Sequence, residues 1–465
     1  MNDELFIFAI IDGGVKDAVI AIGDVRVLSR PTDARICRCG GTPGIHGCHA
    51  RGRTDLRRQE MNIIGEEVQD AAGAPDVAGG ELFDPLSPEF IDNPYRTYRE
   101  MRSVDPVHWH AGLSAWILTT YRDCRRVVED STTFAADYRR AGVPMEPQTI
   151  TVQTLDPPDQ LPVRRLLAEA FRAQRTPAIR RELVPFVRGK LAELARREEF
   201  DLVAELAVPL ATFAMSGVFG GDLARGDEFR TASTAVVRSM IAGVAPERER
   251  PGLEARALLA DLIRTEYERG PTTGILGFLY RGNAHHAVGT DLLTNSLRAV
   301  LLAGLNTGQR FLGNSVHGLL QQPGRVREFA GMPARERTTA LHELLRHDTP
   351  FQAQERIVTT DARIGGRQVR RGDRVVVLFG AAHRDPAVFA EPDELVLSRT
   401  PNPHFGFGRG VHACLGAALA FAEADVLLSE LATHPAVRLA APPVREPNPT
   451  LRGLATLPVR LGTDD

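Results

Sequence analysis

The chain predicts a mostly α fold with a small β portion, of the α+β class. Between residues 160 and 345, apolar residues recur at three- and four-residue intervals in seven successive segments. After residue 350 that rhythm stops, and short β-branched runs bounded by glycine take its place. No internal repeat is evident, and no run approaches the roughly 18 uninterrupted apolar residues of a membrane-spanning helix.

Residues 1–79 differ in character from the rest of the chain. Leu5 to Ile22 is apolar, but Asp12, Lys16 and Asp17 interrupt it and no basic stretch precedes it, so it reads as neither a signal peptide nor an anchor. Residues 31–60 are rich in Arg, Gly and Cys, and residues 70–80 read as a linker. Cys37, Cys39, His46, Cys48 and His49 lie close together and raise the question of zinc. Cys-x-Cys is tighter than the usual pairing, however, and no second pair stands at a distance. The expectation for 1–79 is an atypical extension, poorly ordered or lying upstream of a true start at Met61. Residues 80–465 are expected to form one globular domain.

Asn93-Pro94 opens a helix, Val107-His108-Trp109 and 115–119 are two strands joined near Gly112, and 123–129 is helical. The seven periodic segments are 161–172, 178–196, 201–218, 226–242, 251–268, 290–320 and 334–347. Strands come next at 356–360, 367–369 and 374–379, with a Gly365-Gly366 turn between the first two. An Ala-rich segment of helical character lies behind Cys414.

Composition excludes some function classes. A net charge of −3 gives no electrostatic reason for a nucleic-acid or anionic-membrane partner. Five cysteines in 465 residues are too few for a disulfide framework, so a reducing cytoplasm is expected. A hydrophobic content of 43% supplies a large core.

The most informative stretch is 403–416. Cys414 has glycines six and four residues before it (Gly408, Gly410), one two residues after it (Gly416), and Phe407 seven before. The glycines allow a tight backbone. The helix start behind the cysteine places partial positive charge near the sulfur, which favours a thiolate. A thiolate so placed suits the axial position of a haem iron, where it promotes O–O cleavage. The pattern Phe-Gly-x-Gly-x-His-x-Cys-x-Gly, Phe407 to Gly416, resembles the cysteine loop of the cytochrome P450 family at every fixed position. The order of elements over about 83–465 also resembles the cytochrome P450 fold.

That resemblance assigns further roles. Glu343 and Arg346, on one helix face, and Arg399 match a buried ionic triad that holds the cysteine loop. Gln160, Arg164, Arg356 and His412 match contacts to the haem propionates, with Gln160 standing where many members have histidine. Cys414 is then the axial ligand of the iron of haem b, with Phe407, Gly408 and Gly416 shaping its loop. Ala303-Gly304-Leu305-Asn306-Thr307 resembles the family's Ala-Gly-x-(Asp/Glu)-Thr. Gly304 is expected to let oxygen and substrate approach the backbone, and Thr307 to bind dioxygen and help deliver protons. Asn306 replaces the usual acid; an amide orients water but cannot titrate. Gly308 stands where many members carry a hydroxyl residue. Substrate contacts are expected from 135–155, 210–245, Phe351-Gln352-Ala353-Gln354 and the turn at Gly453-Leu454-Ala455, largely apolar surfaces suited to a medium-sized organic molecule.

The implied function is a monomeric, cytoplasmic haem-thiolate monooxygenase. It would insert one oxygen atom of O2 into a small or medium organic substrate, in secondary metabolism, with carrier-protein-bound substrates included. Electrons would come from NAD(P)H through a separate ferredoxin and ferredoxin reductase, with Arg409 on the docking face. Asn306 keeps a second reading open, that of oxidative coupling or peroxide-driven oxidation. A non-catalytic haem protein or gas sensor is the third.

Overall fold

The computed structural model describes residues 82–462, apart from 175, 222–225, 242 and 244. The extension and the Cys37–His49 cluster lie outside the described residues. No helix among the described residues is long and apolar enough to cross a membrane.

Helix α1 (Pro94–Val104) starts where Asn93 Oδ1 accepts from the Tyr95 N–H and Pro94 takes the first turn. Thr120 caps α2 (Tyr121–Glu129) through the Asp123 N–H. Then come α3 (Gln160–Ala173), α4 (Thr176–Leu194), α5 (Val208–Phe219), α6 (Asp227–Ser239), α7 (Glu249–Glu268), α8 (Gly274–Arg281), α9 (Thr290–Leu320), α10 (Ala334–His347) and α11 (Ala417–Leu431). Helices α4, α5, α9 and α11 form a bundle in which α9 packs on α5 and α11, and α4 closes the other side. Helix α9 runs through the centre, with 21 of its 31 residues buried, which is why its sequence is apolar on nearly every face.

The β portion is one five-stranded sheet with smaller pieces around it. Strands β1 (Val107–His110), β2 (Ala115–Leu118), β3 (Phe134–Ala135), β4 (Ala353–Val358) and β5 (Arg374–Leu378) lie in the order β1-β2-β5-β4-β3. Only β2 and β5 run parallel, with Ala115 opposite Arg374. Gly365 (φ 53°) and Gly366 (φ 86°) turn the hairpin Ala362–Ile364/Arg367–Val369; the turn was expected there, its first strand was not.

Three expectations change. The helix expected over 201–218 begins as a strand at Phe200–Asp201, passes through a π-helical turn at Val203–Ala207, and becomes α-helical only at Val208. The Asp201 side chain takes the Val203 and Leu457 amides and pins this start, a long-range contact invisible to periodicity. The strand expected at 356–360 begins at Ala353, because Ala353 and Gln354 pair with Leu378 and Val377. Half of the expected Phe351–Gln354 substrate segment therefore lies in this sheet. Short α8 was missed, since eight residues carry too little periodicity to register.

Candidate active site

The loop before α11 is held at both ends. Cys414 N–H donates to the Phe407 carbonyl (2.8 Å), and Phe405 N–H donates to His383 Nε2 (2.8 Å). Gly408 and Gly410 have φ of 65° and 64°, the left-handed region where a side chain is strained. A Cβ at Gly408 would sit 3.2 Å from the His412 carbonyl oxygen, and one at Gly410 3.3 Å from that of Val128. The loop thus lies directly on α2. The Tyr121 ring packs on Phe405 (centroids 4.5 Å) and its hydroxyl donates to the Pro403 carbonyl (2.8 Å). Phe407 packs edge-on against Phe421 of α11.

Cys414 retains accessible surface while protein atoms crowd around its sulfur. Burial pushes the thiol up; the Gly416 N–H, the Arg164 charge and the Ala417 N–H oppose the shift without reversing it. The helix start does aim amides at the sulfur, as expected, but does not by itself make a thiolate.

Glu343, Arg346 and Arg399 are brought together. Arg346 binds Glu343 through two N–H groups (2.7 and 2.8 Å), and Arg399 Nε bridges both carboxylate oxygens at 3.0 Å. The Val396 N–H (2.9 Å) and Asn402 Nδ2 (3.1 Å) add two more donors. Burial works against the carboxylate, but Arg346 and the other donors bring Glu343 below its usual range.

The polar set beside the loop is tied by Asp156. His412 Nε2 lies 2.9 Å from Asp156 Oδ1, and Gln160 Nε2 lies 3.1 Å from His412 Nδ1 and 3.0 Å from the Val152 carbonyl. Gln160 Nε2 is a donor, so Nδ1 accepts and Nε2 carries the His412 proton. Burial holds His412 below its ordinary value despite Asp156. Asp156 also takes the Ala136 and Asp137 amides. Arg356 is 2% exposed, and burial lowers it to about 10, with Asp156 acting against the shift. Arg164 donates to the Ala413 carbonyl. Sequence reasoning missed Asp156 as the partner that orients His412; its place in Asp156-Pro157-Pro158 was the only signal.

On α9, Thr307 Oγ1 donates to the Ala303 carbonyl (2.7 Å). Ala303, Gly304 and Thr307 stay half-buried while 299–302, 305 and 306 are buried, so one stripe of the central helix keeps accessible surface. Gly304 lies against Met215 of α5: an added Cβ would overlap the Met215 thioether, so the missing side chain also serves helix packing. One expectation changes here. Asn306 Nδ2 donates to the Leu302 carbonyl (2.9 Å) and to Ser233 Oγ of α6 (3.2 Å), and the residue is 8% exposed. The amide is committed to a helix–helix contact. Gly304→Ala is expected to destabilise by about 1–3 kcal/mol through overpacking. The loss should shrink in a Met215→Ala background, a coupling that denaturant unfolding of the four proteins of the cycle would measure.

These residues fit a haem. An accessible sulfur has backbone N–H groups aimed at it, Arg164 acts electrostatically on it and, with Arg356, on His412, and α9 keeps accessible surface at Ala303, Gly304 and Thr307. A helical chain with one glycine-bound cysteine of this kind defines a haem-thiolate class of protein.

Comparison with known proteins agrees. The family model described as Cytochrome P450 matches residues 336–459. Nocardicin C N-oxygenase of Nocardia uniformis subsp. tsuyamanensis is 32% identical over 383 residues, covering 78% of this chain and 94% of the relative. The structure of CYP109E1 from Bacillus megaterium in complex with testosterone is 25% identical with a TM-score of 0.73, covering 81% of this chain and 99% of the other. P450BioI in complex with hexadec-9Z-enoic acid ligated acyl carrier protein is 25% identical with a TM-score of 0.72, covering 80% and 100%. The chain belongs to the cytochrome P450 family. It is an oxidoreductase of the P450 monooxygenase type, and the family implies haem iron as its cofactor.

Proposed function

We propose that residues 80–465 form a haem-thiolate domain that inserts one oxygen atom of O2 into a small or medium organic molecule of secondary metabolism. The observation that carries this reading is Cys414, accessible on a glycine-bent loop with the Gly416 and Ala417 amides aimed at its sulfur. Bound haem iron supplies the activation of dioxygen. Cys414 Sγ holds the iron as a thiolate, stabilised by those two amides once a cation replaces the proton. Arg164 and Arg356 neutralise the propionates, while Gln160 and Asp156 fix the position of the His412 ring beside them. Thr307 Oγ1, anchored on the Ala303 carbonyl, holds a proton-bearing hydroxyl at the oxygen side. Glu343, Arg346 and Arg399 keep the approach to the loop fixed.

Electrons reach the site from NAD(P)H through ferredoxin reductase and ferredoxin. The docking face is that of α2 and the cysteine loop, where Arg122, Arg125 and Arg409 retain 81%, 51% and 31% of their side-chain exposure. The acyl-carrier complex of P450BioI supports including carrier-bound substrates.

A compound library screened for the substrate-induced spin-state shift of the holoprotein tests the reading. Each hit is then turned over with ferredoxin, ferredoxin reductase and NADPH, or with peroxide alone. Oxygenated product with the partners and none with peroxide is the expected result. The reverse pattern establishes the peroxide-driven reading, which the committed amide of Asn306 favours. Carbon monoxide binding without NADPH consumption for any hit would make the protein a sensor.

A further inference from the structure

Two successive amides of the cysteine loop end on imidazole nitrogens. The Phe405 N–H donates to His383 Nε2 (2.8 Å), and the Gly406 N–H donates to His404 Nδ1 (3.0 Å). The other nitrogen of His404, Nε2, lies 2.8 Å from Nδ1 of His342 on α10. The loop sits directly on that helix. A Cβ at Gly406 would be 2.5 Å from Leu345 Cγ, so a side chain there would displace Leu345. The His342 ring packs edge-on against Phe421 of α11 (centroids 4.7 Å), the same ring that receives Phe407 of the loop (4.9 Å). His342 precedes Glu343 in α10, yet its bond goes to the loop itself rather than to the ionic triad.

Counting protons fixes the state of this chain of bonds. His404 Nδ1 accepts from Gly406, so it carries no proton, and Nε2 must carry it. His342 Nδ1 must then accept, which makes His342 neutral with its own proton on Nε2. The series from Gly406 through His404 to His342 is complete only when both rings are neutral. A proton added at His342 Nδ1 sets two N–H groups against each other. Moving the His404 proton to Nδ1 relieves that clash but turns Nδ1 against the Gly406 N–H. Either way one link between α10 and the loop is lost. His383 obeys the same rule toward Phe405, since only its neutral ring has an Nε2 that accepts. The surroundings favour the neutral rings. Burial lowers His342, and burial followed by His342, Arg346 and Arg409 lowers His404 to about 3. Burial, then His404, Arg346 and Arg384, hold His383 well below its ordinary value. The facing charges are thus Arg346 of α10, bound to Glu343, Arg409 of the loop and Arg384, while α11 presents the apolar Phe421.

We propose that His342 and His404 are positioning residues for the thiolate, a chain of neutral imidazoles that holds the cysteine loop on α10 and releases it on acidification. This rests on the haem-thiolate reading. The path from the chain to the ligand is short. Gly406 precedes Phe407, whose carbonyl accepts the Cys414 N–H (2.8 Å), so a loosened Gly406 amide frees the peptide that orients Cys414. The direction with pH follows from the protons bound. The closed loop holds His342 below its ordinary value of 6.5, and a released His342 returns to that value. The closed state therefore binds fewer protons and loses ground to the open state as pH falls below 6.5, by up to about tenfold per pH unit for one ring. Above that value His342 adds no pH dependence.

The haem-loaded protein tests this through the rate at which the red-shifted Soret band of its reduced carbon monoxide complex decays to the unshifted band, followed from pH 8 to pH 5.5. Far-ultraviolet circular dichroism on the same samples confirms that the fold persists. Wild type should show the band at pH 8; its absence there would overturn the haem-thiolate reading itself. Its decay should quicken about tenfold or more between pH 7.5 and 5.5. His342→Asn puts a carboxamide oxygen where Nδ1 stands, an acceptor that does not titrate. It should match wild type at pH 8 and decay about tenfold more slowly than wild type at pH 5.5. His342→Leu fills the space against Phe421 but offers no acceptor, and should decay about tenfold faster than wild type already at pH 8, the usual effect of stranding a buried N–H. A wild-type rate that is flat from pH 8 to 5.5, a His342→Asn profile parallel to wild type, or a His342→Leu protein equal to His342→Asn at pH 8 would each overturn the imidazole chain and leave the haem-thiolate reading intact.

Discussion

Cys414→Ala is expected to abolish the red-shifted Soret band of the reduced carbon monoxide complex and to reduce dioxygen-dependent turnover to background. The sulfur is the one soft donor presented on the loop, and no neighbour can replace it. Cys124 is buried on α2, its thiol donates to the Leu118 carbonyl, and burial raises it well above its ordinary value. His412 is the nearest nitrogen donor in sequence, but its Nε2 proton is committed to Asp156 and its Nδ1 accepts from Gln160. A nitrogen ligand recruited by rearrangement would give a carbon monoxide band without the red shift, because the strong electron donation comes from thiolate. The fold should survive, since Cys414 is accessible and packs little. Reduced carbon monoxide spectra together with far-ultraviolet circular dichroism separate the two effects. A surviving red-shifted band in a folded Cys414→Ala protein would remove the ligand assignment and the proposed function with it.

The parts of the site legible in the sequence are those written in short-range spacing. The cysteine loop is contiguous, its glycines mark positive φ at 408 and 410, and Glu343 with Arg346 sits one turn apart on a helix face. What stayed hidden depends on how helices are rotated against each other. Ala303 to Thr307 reads as one motif, yet Gly304 lies against α5, Asn306 faces α6, and accessible surface remains at Ala303, Gly304 and Thr307. Sequence spacing gives the angle between these residues but not which neighbour each angle meets. At the level of fold, helix α9 was bounded correctly at 290–320 because it is long and periodic. The strand at Ala353–Val358 was misplaced because its first residues are recruited by β5 rather than by their own propensity.

Glu343→Gln should be the most damaging single substitution outside the ligand itself, costing about 3–5 kcal/mol of stability as expected for breaking a buried ion pair. The carboxylate is fully buried and takes N–H donors from Arg346, Arg399, Val396 and Asn402 on both oxygens. Glutamine keeps the shape but offers one acceptor oxygen, and its own N–H groups would point at guanidinium donors. Two buried arginines would then lack a counter-charge. Arg346 also donates to the His383 (2.9 Å) and Pro392 (2.7 Å) carbonyls, and Arg399 to those of Glu391 and Glu394 (3.2 Å each). Damage at Glu343 therefore spreads through 391–402, the segment that leads directly into the cysteine loop, and the variant should also lose haem on dilution faster than wild type. The pH dependence gives an independent check. The folded carboxyl lies below its ordinary value of 4.5. Its stabilisation is therefore fully present above that value and is lost as pH falls through the lower folded value. The gap between wild type and Glu343→Gln in denaturant unfolding should be full at pH 7 and narrow on acidification below 4.5, because only the wild type has a charge to lose. A variant within about 1 kcal/mol of wild type at pH 7, the usual size of an exposed pair, would mean that the triad contributes no more than a surface contact and that the loop is held by Tyr121, His383 and His342 alone.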